Sequence, residues 1–145
     1  MSKKMKYLLG ALCIIIVGAV SVYLYVYKPH PSYEKLKPEF TITPKAIYDE
    51  FKENGKASAL KYNGKMVELK GAISKIENSD TLITVVFAFS QGLFGDEGVR
   101  CAMLPKLNPT IKALKQGDDI DLKGLCQGFN DTDVIFEKCS LIEKP

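Results

Sequence analysis

Few side chains in this sequence could perform catalysis. His30 is the single histidine, and it stands between Pro29 and Pro31, apart from any predicted strand. Without a second histidine no obvious nucleophile–base pair can form, and no spacing of Cys and His matches a zinc site. The adjacent carboxylates Asp118 and Asp119 begin a predicted strand, where they are expected to be surface charge. We therefore expect a protein that is not an enzyme and needs neither a metal nor a cofactor.

An apolar segment near the N-terminus is long enough to cross a membrane. Tyr7 to Tyr27 contains 21 residues without a charge, close to the ~20 needed for the hydrocarbon core. The preceding lysines Lys3, Lys4 and Lys6 predict a cytoplasmic N-terminus by the positive-inside rule. We predict a single-pass signal anchor over residues 1–27, with the rest of the chain exported to the periplasm or the extracellular space.

Two alternatives to an uncleaved anchor stay open. Small residues at Ala19-Val20-Ser21 offer a site to signal peptidase, although the apolar run continues beyond them. The other alternative is a lipoprotein attached through Cys13, but Leu12 stands before that cysteine, where a small residue is expected.

The net charge of +3 belongs to the membrane segment rather than to the domain. Four of the 20 basic residues flank the apolar run, which leaves 16 basic against 17 acidic residues in the exported part. This part therefore lacks the basic surplus that is typical of nucleic-acid-binding domains.

The remaining sequence divides into a tether and a domain. Residues 28–42 carry three prolines and mixed charge and predict an extended tether, and residues 43–145 form the domain. Thr43 and Pro44 are typical of a helix start, and they predict a helix over 44–61 that is weakened at Gly55. Apolar alternation predicts five strands at about 67–74, 81–90, 99–104, 120–129 and 134–142, with a bulge at Lys75-Ile76, a Gly-rich loop at 91–98 and a short helix at about 109–116.

Three strands, a helix and two further strands follow one another in the order of an OB-fold. We predict an all-β domain with two helices: a five-stranded OB-fold barrel preceded by the N-terminal helix. A repeated motif supports it, because GKMVELKGAI at Gly64–Ile73 returns 53 residues later as GDDIDLKGLC at Gly117–Cys126. The first and fourth strands are neighbours in such a barrel, and we expect Gly71 and Gly124 to let them bend. The leading glycine of each copy is expected to end the preceding helix.

Several segments also carry a likeness to a known family. They are FKENGKASALKYNGKMVELKGAIS (51–74), GVRC (98–101), LKQGDDIDLKGLCQGF (114–129) and DVIFEKC (133–139), with YKPHPS (27–32) after the anchor. In them the sequence resembles the bacterial tRNA-anticodon-binding-domain-like OB-fold family of small exported proteins. The resemblance implies an OB-fold and an envelope location, and it implies no particular activity.

The ligand face of an OB-fold is normally the outer side of its second and third strands, between two flanking loops. Here that face would contain Thr84, Val86, Ala88, Ser90, Arg100 and Ala102, with Phe94 as an exposed anchor in the adjoining loop. The face carries no aromatic residue, and the flanking loops at 77–80 and 130–133 are acidic and would repel phosphate. A competing explanation is that the first helix covers Val86 and Ala88.

These features predict a membrane-tethered envelope binding module that recognises a protein, a peptide or a small polar ligand. We expect its partners to be the membrane, through the N-terminal helix, and an unknown envelope protein or peptide. The alternative is a nucleic-acid-binding OB domain, which the acidic loops disfavour.

Three cysteines lie in the predicted domain, so at most one disulfide can form among them. In the predicted barrel the fifth strand lies between the third and the fourth, which makes Cys139 the shared candidate. We favour Cys126 as its partner, because the last two strands form a hairpin. Cys101 and three free thiols are the alternatives.

Overall fold

The structure is a computed structural model that describes residues 2–28 and 32–142, and it divides into two compact units, residues 1–31 and 32–145. The first unit contains helix α1 (Lys3–Val26), whose side chains are exposed. This helix is long and apolar enough to cross a membrane, so the predicted apolar helix is confirmed. His30 lies outside the described residues.

In the second unit, the described residues form one sheet of seven strands. The strands are β1 (Phe40–Ile42), β2 (Met66–Ala72), β3 (Lys75–Asn78), β4 (Ile83–Gly92), β5 (Gly95–Met103), β6 (Asp119–Phe129) and β7 (Val134–Leu141). Their order in the sheet is β1-β2-β6-β7-β5-β4-β3. The β1–β2 and β5–β7 pairs are parallel, and the other pairs are antiparallel.

The prediction of a five-stranded barrel is wrong for two reasons. The first predicted strand is interrupted at Ile73 and Ser74, which separates β2 from β3. These two strands lie far apart in the sheet order although only two residues join them, so the sheet curls on itself in an OB-like manner. In addition, β1 extends the sheet beside β2, and it comes from the predicted tether.

The prediction of two helices in the domain is also wrong. The expected helix over 44–61 consists of α2 (Pro44–Glu53) and α3 (Gly55–Tyr62), and α4 (Asn108–Lys112) follows a 3₁₀ turn at Pro105–Leu107. Thr43 caps α2 as predicted, since its hydroxyl accepts a hydrogen bond from the Ala46 amide. Asn54 ends α2 and caps α3 through the Ala57 amide, so the helix is divided beside Gly55.

The tether is shorter than the sequence predicts. Tyr33–Lys35 forms a 3₁₀ turn, and β1 pairs with β2 from Phe40 onward. Glu39 is also hydrogen-bonded to the sheet, because its amide donates to the Met66 carbonyl. The second unit therefore begins at residue 32 rather than at residue 43.

The core lies inside the curled sheet and beneath α2. Ile83, Val85 and Phe87 of β4 are buried on the face that the alternation predicts. Ile47 and Phe51 of α2 close one side of this core. The predicted loop over 91–98 is wrong, because β4 continues to Gly92 and β5 already begins at Gly95.

Candidate ligand-binding site

The predicted ligand face lies on the β4–β5 hairpin, and the strand register brings its residues together. Thr84 is paired with Ala102, Val86 with Arg100, and Ala88 with Gly98. All of these except Val86 and Gly98 are half-buried, whereas Val86 is 1% exposed. On β3, Lys75 is the register partner of Val86 on its other side, and the stems of long side chains cover neighbouring apolar surface. Val86 is thus unavailable to a ligand.

Arg100 is the centre of an ion-pair network rather than a free cation. Its Nη1 lies 2.8 Å from Glu77 Oε2, and its Nε lies 3.1 Å from Asp133 Oδ2. Burial alone would lower the pKa of Arg100, but the two carboxylates outweigh it and the pKa is raised. Burial likewise opposes ionisation of Glu77, and its pairs with Arg100 and Lys75 nevertheless hold its pKa below the usual value. Two carboxylates therefore compensate this guanidinium.

Asp133 fixes the loop that flanks the hairpin. Its Oδ1 accepts a hydrogen bond from the Gly98 amide at 2.9 Å, and Asp133 is only 7% exposed. The side-chain oxygen of Asn130 accepts hydrogen bonds from the amides of Thr132 and Asp133. The loop at 130–133 is consequently held against β5 by its own turn and by Arg100.

The hairpin ends in two exposed apolar side chains. Leu93 is 98% exposed and Phe94 is 97% exposed, in the turn between β4 and β5. A small cavity of about 110 Å³ adjoins Phe94 and is lined by Arg100, Thr132 and Asp133 among others. The structure therefore places predicted residues Phe94 and Arg100 at one site. The prediction omitted Leu93, although its position beside Phe94 between glycines indicates the same turn.

A polar cluster joins α2 to the hairpin close to its turn, and the sequence pattern did not predict it. The Tyr48 hydroxyl lies 3.0 Å from Ser90 Oγ and 3.2 Å from Glu97 Oε2. Lys52 Nζ also lies 3.2 Å from Glu97 Oε2, and this contact lowers the pKa of Glu97. Helix α2, the first helix of the domain, thus contacts the hairpin near its turn, beyond Val86 and Ala88.

The cysteines of the domain are free thiols. Cys101, Cys126 and Cys139 are fully buried, and the predicted bond between Cys126 and Cys139 is not formed. In the register of β6 and β7, Cys126 is paired with Phe136. Cys139 lies instead against Gly124, and on its other side it is paired with Met103 of β5.

The described residues contain no cluster of His, Cys, Asp and Glu side chains that could hold a metal ion. Asp118 caps a turn, since its Oδ2 accepts a hydrogen bond from the Lys115 amide at 2.8 Å. Asp119 is exposed at the first position of β6. Asp118 and Asp119 therefore lie at the surface, as the sequence predicts.

Sequence comparison gives the family. The model of the tRNA_anti-like family matches residues 1–141. The chain belongs to the tRNA_anti-like family. No curated protein matches the sequence.

Several solved structures are similar to the chain at low sequence identity. A lipoprotein of Klebsiella pneumoniae to which nucleic-acid binding has been ascribed is 16% identical, with a TM-score of 0.57 over 71% of this chain and 91% of that one. The Stn1–Ten1 complex of S. pombe is 12% identical, with a TM-score of 0.39 over 55% and 60%. The OBody AM3L15, bound to hen egg-white lysozyme, is 13% identical, with a TM-score of 0.44 over 76% and 100%. The first of these likenesses supports the OB-like fold, and none of them gives the ligand.

Proposed function

We propose that this tRNA_anti-like protein is a membrane-tethered binding module of the cell envelope. In this proposal α1 remains in the membrane as a single-pass anchor with its N-terminus in the cytoplasm, and the domain is exported. The length and apolar character of α1 and the lysines before it support the anchor. The domain acts by binding a protein or peptide, and it performs no catalysis.

One observation carries the proposed ligand class. The exposed apolar turn of the hairpin lies beside Arg100, whose charge is balanced by two carboxylates. Leu93 and Phe94 are almost fully exposed, and aromatic side chains such as that of Phe94 are enriched in protein interfaces. Beside them, Glu77 and Asp133 neutralise Arg100. A peptide with an apolar side chain fits this surface better than a phosphate backbone does.

Nucleic-acid binding is the second candidate, and the name ascribed to the Klebsiella lipoprotein favours it. Two features of this chain oppose it. Nucleic-acid affinity depends on free Lys and Arg at the site, and Arg100 is already paired with two carboxylates. Single-stranded ligands also need stacking platforms, and Phe94 is the one aromatic residue among those that line the described cavity.

The ligand class can be tested by photo-crosslinking in native membranes. A benzoylphenylalanine at position 94 should give discrete crosslinks to a polypeptide, and these should be lost when Leu93 is replaced by Ser. The same probe at position 60 is the control, because Leu60 is 89% exposed on α3. Salt-sensitive binding of a single-stranded oligonucleotide that is lost in Arg100→Ala would support the second candidate instead.

The anchor can be tested separately with two C-terminal reporter fusions, one active only in the cytoplasm and one active only outside it. The proposal requires the external reporter to be active. It also requires the chain to remain with the membrane after alkaline extraction. Activity of the cytoplasmic reporter would refute the proposed orientation, and release of the chain would refute the uncleaved anchor.

A further inference from the structure

Three lysines from three elements contact residues 33–36, the segment that leads into the domain. They are Lys106 of the 3₁₀ turn at Pro105–Leu107, Lys123 of β6 and Lys138 of β7. Together we call them the segment-binding lysines. Lys106 Nζ pairs with the Glu34 carboxylate, and Lys123 Nζ donates to the Glu34 and Leu36 carbonyls at 2.6 and 2.8 Å. Lys138 Nζ lies 3.1 Å from the Tyr33 hydroxyl and 4.2 Å from the centre of its ring.

These contacts leave a surplus of positive charge. Glu34 supplies the one carboxylate among the described contacts of the segment-binding lysines, while Lys35 and Lys37 add two exposed ammonium groups from the segment itself. The Lys106 side chain is 64% exposed, so its charge faces solvent even while it is paired. With the segment in place, these five ammonium groups outnumber the Glu34 carboxylate that pairs with them.

The length of the chain connection limits how far this surface can lie from the end of α1. The segment begins at Tyr33, and α1 ends at Val26. The residues between them span at most about 25 Å when fully extended, at roughly 3.6 Å per residue. A short tether of this kind gives an effective concentration in the millimolar range, so that weak attraction to the nearby surface is enough for binding.

We propose that the segment-binding lysines, together with Lys35 and Lys37, form a binding surface for anionic phospholipid headgroups of the membrane that holds α1. This inference rests on the proposed anchoring. Lysines near an anionic bilayer add their attractions, which act within a Debye length of about 8 Å at physiological salt. Phosphate groups meet the exposed ammonium groups, whereas the carbonyl contacts of Lys123 keep the segment folded on the domain.

The occupant follows from charge and from location. A free acidic protein has to be captured from solution, whereas a connection of six residues joins this surface to the proposed anchor. Stacking of nucleic-acid bases would need a free aromatic face, and Lys138 Nζ already lies over one face of the Tyr33 ring, 4.2 Å from its centre. The segment-binding lysines thus favour headgroup phosphates over these other anions.

The full chain, reconstituted into nanodiscs, gives the test. Lysine acetylation followed by peptide mass spectrometry is compared between zwitterionic discs and discs that contain phosphatidylglycerol. We expect acetylation of Lys106 to slow by about threefold or more in the anionic discs and to recover at about 1 M salt. Lys56, exposed on α3, is the internal control and should react equally in both.

Variants sharpen the result, with Lys106 as the reporter. Lys35→Gln with Lys37→Gln should remove most of the protection of Lys106, whereas Lys45→Gln with Lys56→Gln should leave it unchanged. Equal reactivity of Lys106 in both kinds of disc overturns the inference. Protection by a single-stranded oligonucleotide without any lipid effect also overturns it and assigns the surface to nucleic acid. A chain that is not retained in the discs refutes the anchoring itself.

Discussion

Leu69 of β2 lies directly opposite Leu122 of β6, and both side chains are fully buried. Around this pair the two copies of the repeated motif run antiparallel and complement each other. Val67 is paired with Gly124, and Gly71 is paired with Ile120, so the apolar residue of each copy faces the glycine of the other. The repeat in the sequence therefore describes one two-stranded unit with an approximate twofold relation.

The charges of the motif follow the same relation. Lys70 is paired with Asp121 across the strands, and Glu68 is paired with Lys123. Lys70 Nζ reaches Asp121 Oδ2 at 3.4 Å and Glu68 Oε1 at 2.9 Å. Opposite charges at paired positions favour this register over a shifted one, because a shift would place like charges together.

Gly124→Ala should destabilise the domain more than Gly71→Ala. A Cβ at position 124 would collide with the buried Cys139 sulfur, whereas a Cβ at position 71 would lie 3.1 Å from the Pro44 ring at the start of a helix. We expect a loss of about 1–3 kcal/mol at position 124, as in overpacked cores. Urea unfolding of the full chain in detergent micelles measures it.

Cys139→Ala provides the control for this contact. It should cost less in the Gly124→Ala background than in the wild type, because the smaller side chain removes the collision. Additive effects of the two substitutions would contradict the close contact as the reason for Gly124. In that case the two glycines would be needed for the bending of their strands, as the repeat suggests.

Arg100→Ala should destabilise the domain at pH 7 by about 1–3 kcal/mol, because Asp133 and Glu77 then lack their shared partner. The pKa of Glu77 is held below its usual value, so its ion pairs add stability above the ordinary carboxyl pKa of about 4.3. This contribution is lost as the pH falls through the lowered pKa. The difference between wild type and variant should therefore shrink in acid, as urea midpoints can show.

Arg100→Lys is the matched variant for this prediction. It keeps the charge, but a lysine ammonium does not provide the planar fork that reaches both carboxylates. We expect its stability to lie between those of the wild type and Arg100→Ala. A difference between wild type and Arg100→Ala that stays constant with pH would show that the loss comes from packing instead.

The neighbour order of the five predicted strands was predictable, while the two additional strands and the divisions between elements were not. Alternation identified β4 through Ile83, Val85 and Phe87, because one face of that strand is buried. The break at Ile73 and Ser74 and the pairing of β1 depend on contacts distant in sequence, which local patterning does not contain. The glycines at 91–98 suggested a loop. The cross-strand pairs instead continue to Gly92 and Gly95, so that the hairpin closes in a tight turn.

The sequence located Phe94 and Arg100, but not the contacts that surround them. Phe94 follows from its position in a polar, glycine-rich stretch, and the structure exposes it as expected. Arg100 lies on the strand face where the sequence placed it, but its two carboxylate partners come from β3 and from the loop before β7. Those contacts bring together residues that are far apart in the chain, so a single sequence could not supply them.

Asp121→Asn should leave the domain at least as stable as the wild type at pH 7. Burial and the nearby Glu68 charge raise the pKa of Asp121, and its Oδ1 is buried without a hydrogen-bond partner among the described residues. A carboxyl group whose pKa is raised on folding adds stability as the pH falls toward its unfolded pKa of about 3.9. The variant should therefore show a flatter rise in stability on acidification, measured by urea unfolding.

Asp119→Asn is the control, since this exposed carboxylate begins the same strand. Its stability at pH 7 should match that of the wild type. A marked loss of stability in Asp121→Asn at pH 7 would mean that the contact with Lys70 outweighs the burial of the carboxylate.

The buried thiols of the domain should all be free and slow to react. Burial raises the pKa of Cys126 to about 11, and burial together with the neighbouring Cys101 thiol raises that of Cys139 well above its usual value. At pH 8 the Cys126 thiolate is then only about a thousandth of the total, and the thiolate is the reactive form. Alkylation of the native full chain should therefore leave Cys101, Cys126 and Cys139 unmodified, while denaturation without a reducing agent should release four reactive thiols. Peptide mapping that finds any bridge to Cys139 would contradict this expectation, and a bridge to Cys126 would require β6 and β7 to pair in a different register.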